Sequence, residues 1–224
     1  MFNQKYIILF IDRNRFYLCS GVVSNIALLD VPESILHDLE IIQKDGFYTL
    51  IKQWVKEYAL IGSQLIIILS TRTYFEKLLL TAEHDQIESD ILRFFDTVPY
   101  ESIWTKVYPV DKGKRAVVLN KSLYEALYQG FALQGVTEKA ILPEFVLGPL
   151  AGKQTLTSEA AEYVFKNIDL LAKQSLLDIQ ESITASQPPR DETAVPKKKS
   201  NLQALLGVFG VLILILAILL LTRH

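Results

Sequence analysis

The sequence predicts a mixed α/β body followed by one transmembrane helix near the carboxyl end. Two observations lead to this division. Over residues 1–150, short apolar runs of strand length alternate with amphipathic segments of helical period. An uninterrupted apolar run then occupies residues 204–221. About 185 residues precede the linker, which is enough for one or two small hydrophobic cores.

In the first half of the body, the apolar pattern predicts several strands and one helix between them. Residues 5–11 and 16–23 are apolar runs joined by a polar turn, and residues 26–29 form a third candidate strand. In residues 64–69 (QLIIIL) every residue after Gln64 is apolar, which suits a strand buried on both faces of a sheet. We expect further strands at 74–80, 104–110, 116–119 and 139–142, and helices at 47–60, 85–95 and 121–133.

Residues 157–183 predict one long helix that extends the body. Thr157 or Ser158 would cap it, with Glu159 in the first turn. Its apolar residues recur at helical spacing and form one stripe: Phe165, Ile168, Ala172, Leu176, Ile179 and Ile183. Either this stripe packs on the sheet of the body, or it faces a partner or a second copy of the chain. We therefore divide the chain into a body (1–150), a helical extension (151–184), a linker (185–200) and an anchor (201–224).

The apolar run 204–221 has the length of a membrane span. A helix of that length covers about 27 Å, close to the hydrocarbon thickness of a bilayer. The three lysines before it favour an amino-terminal body in the cytoplasm, so we expect a single-pass protein of the inner membrane. A hydrophobic oligomerisation helix is the alternative. The anchor is assigned to Ala204, Leu205, Gly207, Phe209, Gly210, Leu214 and Leu221, and the lipid-headgroup contacts to Lys197, Lys198 and Lys199.

Two features of the tail bear on its partners. Gly207 and Gly210 lie three residues apart, not the four of the common helix-dimer motif, so we expect weak or no self-association. The linker 185–200 holds three prolines and no aromatic residue, which is typical of an extended connection to the lipid bilayer.

Charge argues against nucleic acid as a partner. Before residue 188 the chain has 18 basic and 23 acidic residues, a net charge of −5, whereas the remainder carries +3. Nucleic-acid contacts need clustered basic residues, and here the cluster lies beside the predicted membrane surface. The single cysteine, Cys19, excludes an intrachain disulfide and a cysteine metal cluster, and its apolar neighbours predict a packed, inert thiol.

Motifs that carry catalysis are missing from the sequence. The three histidines, His37, His84 and His224, have no ligand-like spacing, and no nucleophile elbow or P-loop occurs. The segment 148–153 has two glycines and a lysine, but its spacing fits no phosphate loop. We therefore expect no enzyme activity and assign no catalytic, cofactor-binding or metal-binding residue.

Three stretches resemble the PilM family, actin-like proteins of type IV pilus machines, and the related GspL cytoplasmic domain of type II secretion. They are the opening YIILFIDRNRFYLCSG, the run from TRTYFEKLLL to VPYESIWTKVYPV with the turn Val98-Pro99-Tyr100, and the block RAVVLNKSLYEALYQGFALQGVTEKAILPE. The resemblance covers residues 5–150. It implies a truncated actin-like fold, in which a ribonuclease-H-like core carries an inserted αβ subdomain.

The sequence departs from this family where nucleotide would bind. Actin-like ATPases have a glycine-bearing D-x-G loop in the first hairpin, which lets backbone amides approach phosphate. Here the loop reads Asp12-Arg13-Asn14-Arg15, and no second lobe is expected. The resemblance thus implies a non-enzymatic scaffold that recruits pilus or secretion proteins through a groove between residues 64–80 and 100–118. An ATP-dependent actin-like enzyme or regulator that acts as a dimer is the alternative.

Overall fold

The structure, a computed structural model, describes residues 5–80 and 84–179. The predicted linker, the anchor with its three lysines, and the glycine pair lie outside these ranges. Among the described residues, no helix combines the length and the apolar character needed to cross a bilayer. The mixed α/β class of the body is confirmed.

The secondary structure alternates strands and helices along the chain. The strands are β1 (Tyr6–Asp12), β2 (Arg15–Cys19), β3 (Ile26–Asp30), β4 (Leu36–His37), β5 (Glu40–Ile41), β6 (Gln64–Leu69), β7 (Phe75–Leu80), β8 (Ile103–Val110), β9 (Gly113–Asn120) and β10 (Thr137–Pro143). The helices are α1 (Lys44–Glu57), α2 (His84–Asp96), α3 (Lys121–Ala132), α4 (Ser158–Lys166) and α5 (Ile168–Ala172), with 3₁₀ helices at Glu144–Leu150 and Leu176–Ile179.

The main sheet has five strands in the order β10-β6-β1-β2-β3. The first three strands of the chain form an antiparallel meander, and β6 and β10 run parallel to β1. Leu9 of β1 lies opposite Leu18 on one side and Ile67 on the other. Strands β1 and β6 are buried on both faces, as the apolar residues 65–69 of β6 predict.

Helices cover both faces of this sheet. Helices α1 and α3 bury Ile51, Trp54 and Phe131 against the face formed by Leu9 and Ile67. Helices α4 and α5 cover the opposite face, where Ile8, Phe10, Ile66 and Ile68 pack against Ala161, Val164 and Leu171. The described part of the apolar stripe, Phe165, Ile168, Ala172 and Leu176, therefore packs on the body, in line with the first interpretation of that stripe. Ile183 lies outside the described residues.

A smaller αβ unit is inserted between β6 and α3. It contains α2 and a three-stranded sheet of order β7-β9-β8. Tyr108 of β8 meets Phe145 edge-on at 5.0 Å between ring centroids, and the Arg115 guanidinium lies 4.4 Å from the Phe145 centroid. Within α2, Ile87 and Ile91 are buried, whereas Leu92 is exposed.

The single long helix predicted over 157–183 is wrong. The structure has α4, α5 and a 3₁₀ helix in its place, with a break at Asn167. The Asn167 side chain donates a 2.8 Å hydrogen bond to the carbonyl of Tyr163, so it competes with the helical pattern and ends α4. The predicted cap is correct, because the Thr157 hydroxyl accepts from the Ala160 amide.

Two local elements were missed. The short hairpin of β4 and β5 lies in a region that carries no alternating apolar pattern. The 3₁₀ helix Glu144–Leu150 contains Gly148 at a φ of 59° and Pro149 next to it. Both residues signal a loop in the sequence, and the first residues of this segment are buried by the end of β10.

Candidate functional site

Three polar residues meet at the carboxyl ends of the parallel strands. Asp12 ends β1, Ser70 follows β6, and Glu144 follows β10. Parallel strands bring their carboxyl ends to the same edge of a sheet, which is where ligands of open α/β sheets bind. All three side chains are buried. This edge is the candidate functional site.

Arg72, in the loop after β6, forms an ion pair with the Asp12 carboxylate. Its Nε donates to Asp12 Oδ1 at 2.8 Å, and a terminal guanidinium nitrogen donates to Oδ2. The Ser70 hydroxyl donates to the same Oδ1 at 2.8 Å, and Arg15 reaches Oδ2 at 3.4 Å. Both oxygens of Asp12 are therefore engaged within the chain in a bidentate arrangement.

These contacts fix the charge of Asp12. Burial raises the pKa of this carboxyl, but the hydrogen bonds from Arg72 and Ser70 and the charges of Arg72 and Arg15 outweigh burial, and the pKa is lowered. Asp12 is thus ionised at neutral pH, and its charge is balanced by Arg72. The pKa of the Arg72 guanidinium is raised by the same hydrogen bond.

Glu144 is the second buried carboxyl at this edge. Its Oε1 accepts from the Thr71 amide at 3.1 Å. Burial raises its pKa, the backbone hydrogen bonds from Thr71 and Gly152 oppose that rise, and the negative charge of Asp12 adds to it. Two carboxyl groups of different character therefore lie at neighbouring strand ends, one paired with arginine and one held by backbone amides.

A groove of about 540 Å³ opens above Arg72. One wall is the β1–β2 turn with Arg13 and Asn14, and Arg13 takes a φ of 56°, in the left-handed region. Residues 33–39, including the β4 strand, form a second wall, and residues 71–76 form the third. Tyr100 closes one end, where its ring meets Phe75 edge-on at 5.6 Å. We call this cavity the Arg72 groove.

The lining of the Arg72 groove is mixed. Leu36, Leu39, Tyr74, Phe75 and Tyr100 supply apolar surface. Two arginines and three carboxylates also line it: Arg13 and Arg72, and Glu33, Asp38 and Glu76. Apolar walls with charges of both signs suit a segment of protein chain better than a polyanion.

The Arg72 groove overlaps the position predicted for a partner groove on one side only. Five residues of the segment 71–76 and Tyr100 line it, but the β8–β9 hairpin contributes no lining residue. The opposite wall consists of residues 33–39 and the β1–β2 turn instead. The reason is that β8 and β9 turn their inner face onto Phe145 of the core, which buries Tyr108 there.

Sequence reasoning placed none of its site residues at this edge. The anchor and headgroup residues lie outside the described ranges. The thiol of Cys19 is buried, which confirms that it is packed, and that burial raises its pKa. In the part of the chain that the structure describes, no group of histidine, cysteine, aspartate or glutamate has the arrangement of a metal site.

The Asp12–Arg72 pair was missed, although one signal for it was available. Asp12 ends the first apolar strand. Arg72 follows the apolar strand 64–69, in the segment Ser70-Thr71-Arg72. If β1 and β6 are assumed to be parallel neighbours, the two side chains come together at one edge. The sequence predicts each strand but does not give their pairing.

The chain is similar to three solved structures. The first is the PilM–PilN type IV pilus biogenesis complex, at 12% identity and a TM-score of 0.44. The second is the cytoplasmic domain of EpsL, an inner membrane component of the type II secretion system of Vibrio cholerae, at 9% identity and a TM-score of 0.41. The third is a Bacteroides thetaiotaomicron protein with an actin-like ATPase fold and unknown function, at 13% identity and a TM-score of 0.38.

These similarities cover part of each molecule. The match to PilM–PilN covers 64% of this chain and 48% of that structure. The match to EpsL covers 65% and 60%, and the match to the Bacteroides protein covers 64% and 53%. The chain therefore spans about half the length of the structures that it matches. No family model matches the chain, and no curated protein matches it.

Proposed function

We propose that this chain is a non-enzymatic scaffold of an inner-membrane assembly platform of the type IV pilus or type II secretion kind. Its body lies in the cytoplasm, residues 204–221 anchor it in the membrane, and the Arg72 groove receives a segment of another platform protein. The resemblance of residues 5–150 to PilM and GspL suggests the type of assembly. The geometry at the strand ends suggests how the body takes part in it.

The strand order supports an actin-like origin. A meander of three antiparallel strands followed by two strands parallel to the first, with an αβ insertion before α3, is the arrangement of a ribonuclease-H-like core with an inserted subdomain. In this arrangement Asp12 holds the position at the end of the first strand where an actin-like ATPase would face a metal-bound nucleotide.

The observation that carries the proposal is the engagement of Asp12 by Arg72. Both carboxylate oxygens accept hydrogen bonds from that guanidinium, and Ser70 and Arg15 add two more contacts. A magnesium ion at this carboxylate would have to displace an arginine. The turn above it carries Arg13 at positive φ where a phosphate loop would have glycine. The residues present therefore do not fit a metal-bound nucleotide.

One observation favours the alternative of an ATP-dependent enzyme. Asp12 and Glu144 place two buried carboxyl groups at neighbouring strand ends, and such pairs serve as ligand and base in phosphoryl-transfer sites. A conformation in which Arg72 leaves Asp12 would free the Asp12 carboxylate. The two functions differ in what the groove holds, a nucleotide or a protein segment.

The experiment that tests the scaffold is site-specific photocrosslinking in the native cell. A benzophenone amino acid replaces Phe75, which is 40% exposed in the Arg72 groove, and in a matched strain it replaces Leu170, which is 56% exposed on α5. We expect a discrete adduct with one inner-membrane protein from position 75 and not from position 170. The same adducts from both positions, or none from position 75, would contradict the groove as a partner site.

A further inference from the structure

A second cavity, of about 390 Å³, lies beside α3 and shares no lining residue with the Arg72 groove. Its six lining residues come from four elements: Trp104 of β8, Glu125, Tyr128 and Gln129 of α3, Glu138 of β10, and Leu177 of the last 3₁₀ helix. We call it the acidic pocket. Two carboxyl groups and two aromatic rings line it, and none of the six residues is basic.

Glu138 is the unusual member of this set. The pairing of β10 with β6 shifts by one residue between Glu138 and Ala140, so a bulge sets the direction of this side chain. The Glu138 Oε1 atom is buried and has no hydrogen-bond partner. Burial raises the pKa of this carboxyl to about 7. A buried carboxyl oxygen without a partner is costly in a folded protein, and such groups call for an explanation.

The cations near the acidic pocket already have partners, and one of them, Lys121, contacts a pocket residue. Lys139, next in sequence, lies 3.9 Å from Asp169 of α5. The ammonium of Lys106 donates to the Ser175 carbonyl and lies 5.2 Å from the centroid of the Tyr108 ring. Lys121 contacts Glu125 at 3.5 Å, and both side chains are exposed. Because exposed pairs of this kind are weak, Glu125 stays accessible to a ligand. The pocket thus keeps an excess of acceptors.

The chemistry of this lining matches a planar cation. An aromatic face attracts a guanidinium, tryptophan most strongly, and a carboxylate pairs with it through two parallel hydrogen bonds. Leu177 and the ring of Trp104 offer apolar surface for the aliphatic part of such a side chain. The net charge of −5 on residues before 188 would also favour the approach of a basic segment.

We propose that the acidic pocket binds an arginine side chain presented by a partner protein, with Glu138 and Glu125 contacting the guanidinium and Trp104 and Tyr128 beside its plane. This site does not depend on the Arg72 groove, so either proposal can fail without the other.

The test is a titration of the full-length chain in mild detergent, followed by tryptophan fluorescence. The probe is arginine with both ends blocked, and the matched control is blocked citrulline, which has the same shape and no charge. We expect saturable binding of the arginine compound with a dissociation constant on the order of millimolar. The citrulline compound should give no saturable change. Trp104→Phe should abolish the signal, because Trp54 is buried in the core.

Two variants assign the carboxylates. Glu138→Gln should weaken the arginine compound about fivefold or more, as for one lost charge-assisted hydrogen bond. Glu125→Gln, which is more exposed and safe for folding, should also weaken it. Glu159→Gln, on the exposed first turn of α4, should leave binding unchanged. The affinity of the parent should rise between pH 6 and pH 8, and that of Glu138→Gln should not.

Three results would overturn the proposal. The first is equal responses to the arginine and citrulline compounds, or no response to either. The second is unchanged affinity in both Glu138→Gln and Glu125→Gln. The third is tighter binding after Arg190 and Lys197–Lys199 are replaced by glutamine, because this would mean that the chain's own basic residues occupy the pocket.

Discussion

At the scale of single residues, the site depends on one buried carboxylate and its guanidinium. Asp12 is fully buried, whereas the Arg72 side chain is 33% exposed, so the pair lies at the boundary between core and groove. A buried ion pair is weak evidence for stability, but loss of one partner leaves an uncompensated charge. The pair therefore serves mainly to cover the Asp12 carboxylate at the floor of the Arg72 groove, and its net contribution to the stability of the fold is secondary.

Arg72→Ala should lower the free energy of unfolding by about 2 kcal/mol, because Asp12 then keeps only Ser70 and the more distant Arg15. Urea denaturation of the detergent-purified chain measures it. Arg93→Ala is the matched control, since that arginine is 73% exposed in a surface pair with Asp90. Equal effects of the two substitutions would contradict the role of Arg72.

Glu138→Gln should stabilise the chain increasingly as pH rises. The folded pKa of Glu138 is about 7, above the value of roughly 4.3 expected in the unfolded chain. Its contribution to stability is present below the unfolded pKa and is lost as pH rises through the folded pKa. The difference in unfolding free energy between variant and parent should therefore grow by about 1–3 kcal/mol from pH 4 to pH 8. A difference that stays constant with pH would contradict the burial of this carboxyl.

At the scale of secondary-structure elements, the sequence predicted what depends on local pattern. The apolar residues 65–69 predicted β6, and the runs 104–110 and 116–119 predicted the strands β8 and β9. The break at Asn167 was missed because one amide side chain ends a helix whose apolar period continues past it. The Asp12–Arg72 pair was missed because strand pairing is a long-range property.

The insertion depends on a close approach at Gly113. A Cβ atom there would lie 1.9 Å from the Leu79 carbonyl oxygen, and this backbone atom cannot move without separating β7 from β9. Gly113→Ala should thus cost at least about 2 kcal/mol more than Gly62→Ala. At Gly62 a Cβ atom would meet nothing within 4 Å, and only the φ of 77° is strained. Equal midpoints of urea denaturation for the two variants would count against this packing.

At the scale of the whole molecule, an α/β body with helices on both faces of its sheet is followed by a predicted membrane anchor. The body is described by residues 5–80 and 84–179, and the anchor is a prediction from sequence. The fold of the body and the membrane insertion of residues 204–221 are separate predictions, and each needs its own test.

Leu214→Arg tests the anchor. A charge at the middle of an 18-residue apolar run should cost about 2.5–3.5 kcal/mol on insertion scales, so a large share of the variant should leave the membrane fraction. Leu170→Arg, on the exposed side of α5, is the control and should fractionate with the parent. Complete membrane retention of Leu214→Arg would argue for another function of residues 204–221.

The most direct test of the central claim is calorimetry of the full-length chain with Mg-ATP. The engagement of Asp12 by Arg72 predicts no magnesium-dependent binding tighter than about 100 μM, equivalent to roughly −5.5 kcal/mol. Weak, salt-sensitive attraction of phosphate to Arg13 is compatible with that prediction. A saturable micromolar isotherm that Asp12→Ala abolishes would contradict the scaffold and assign the edge of the sheet to nucleotide.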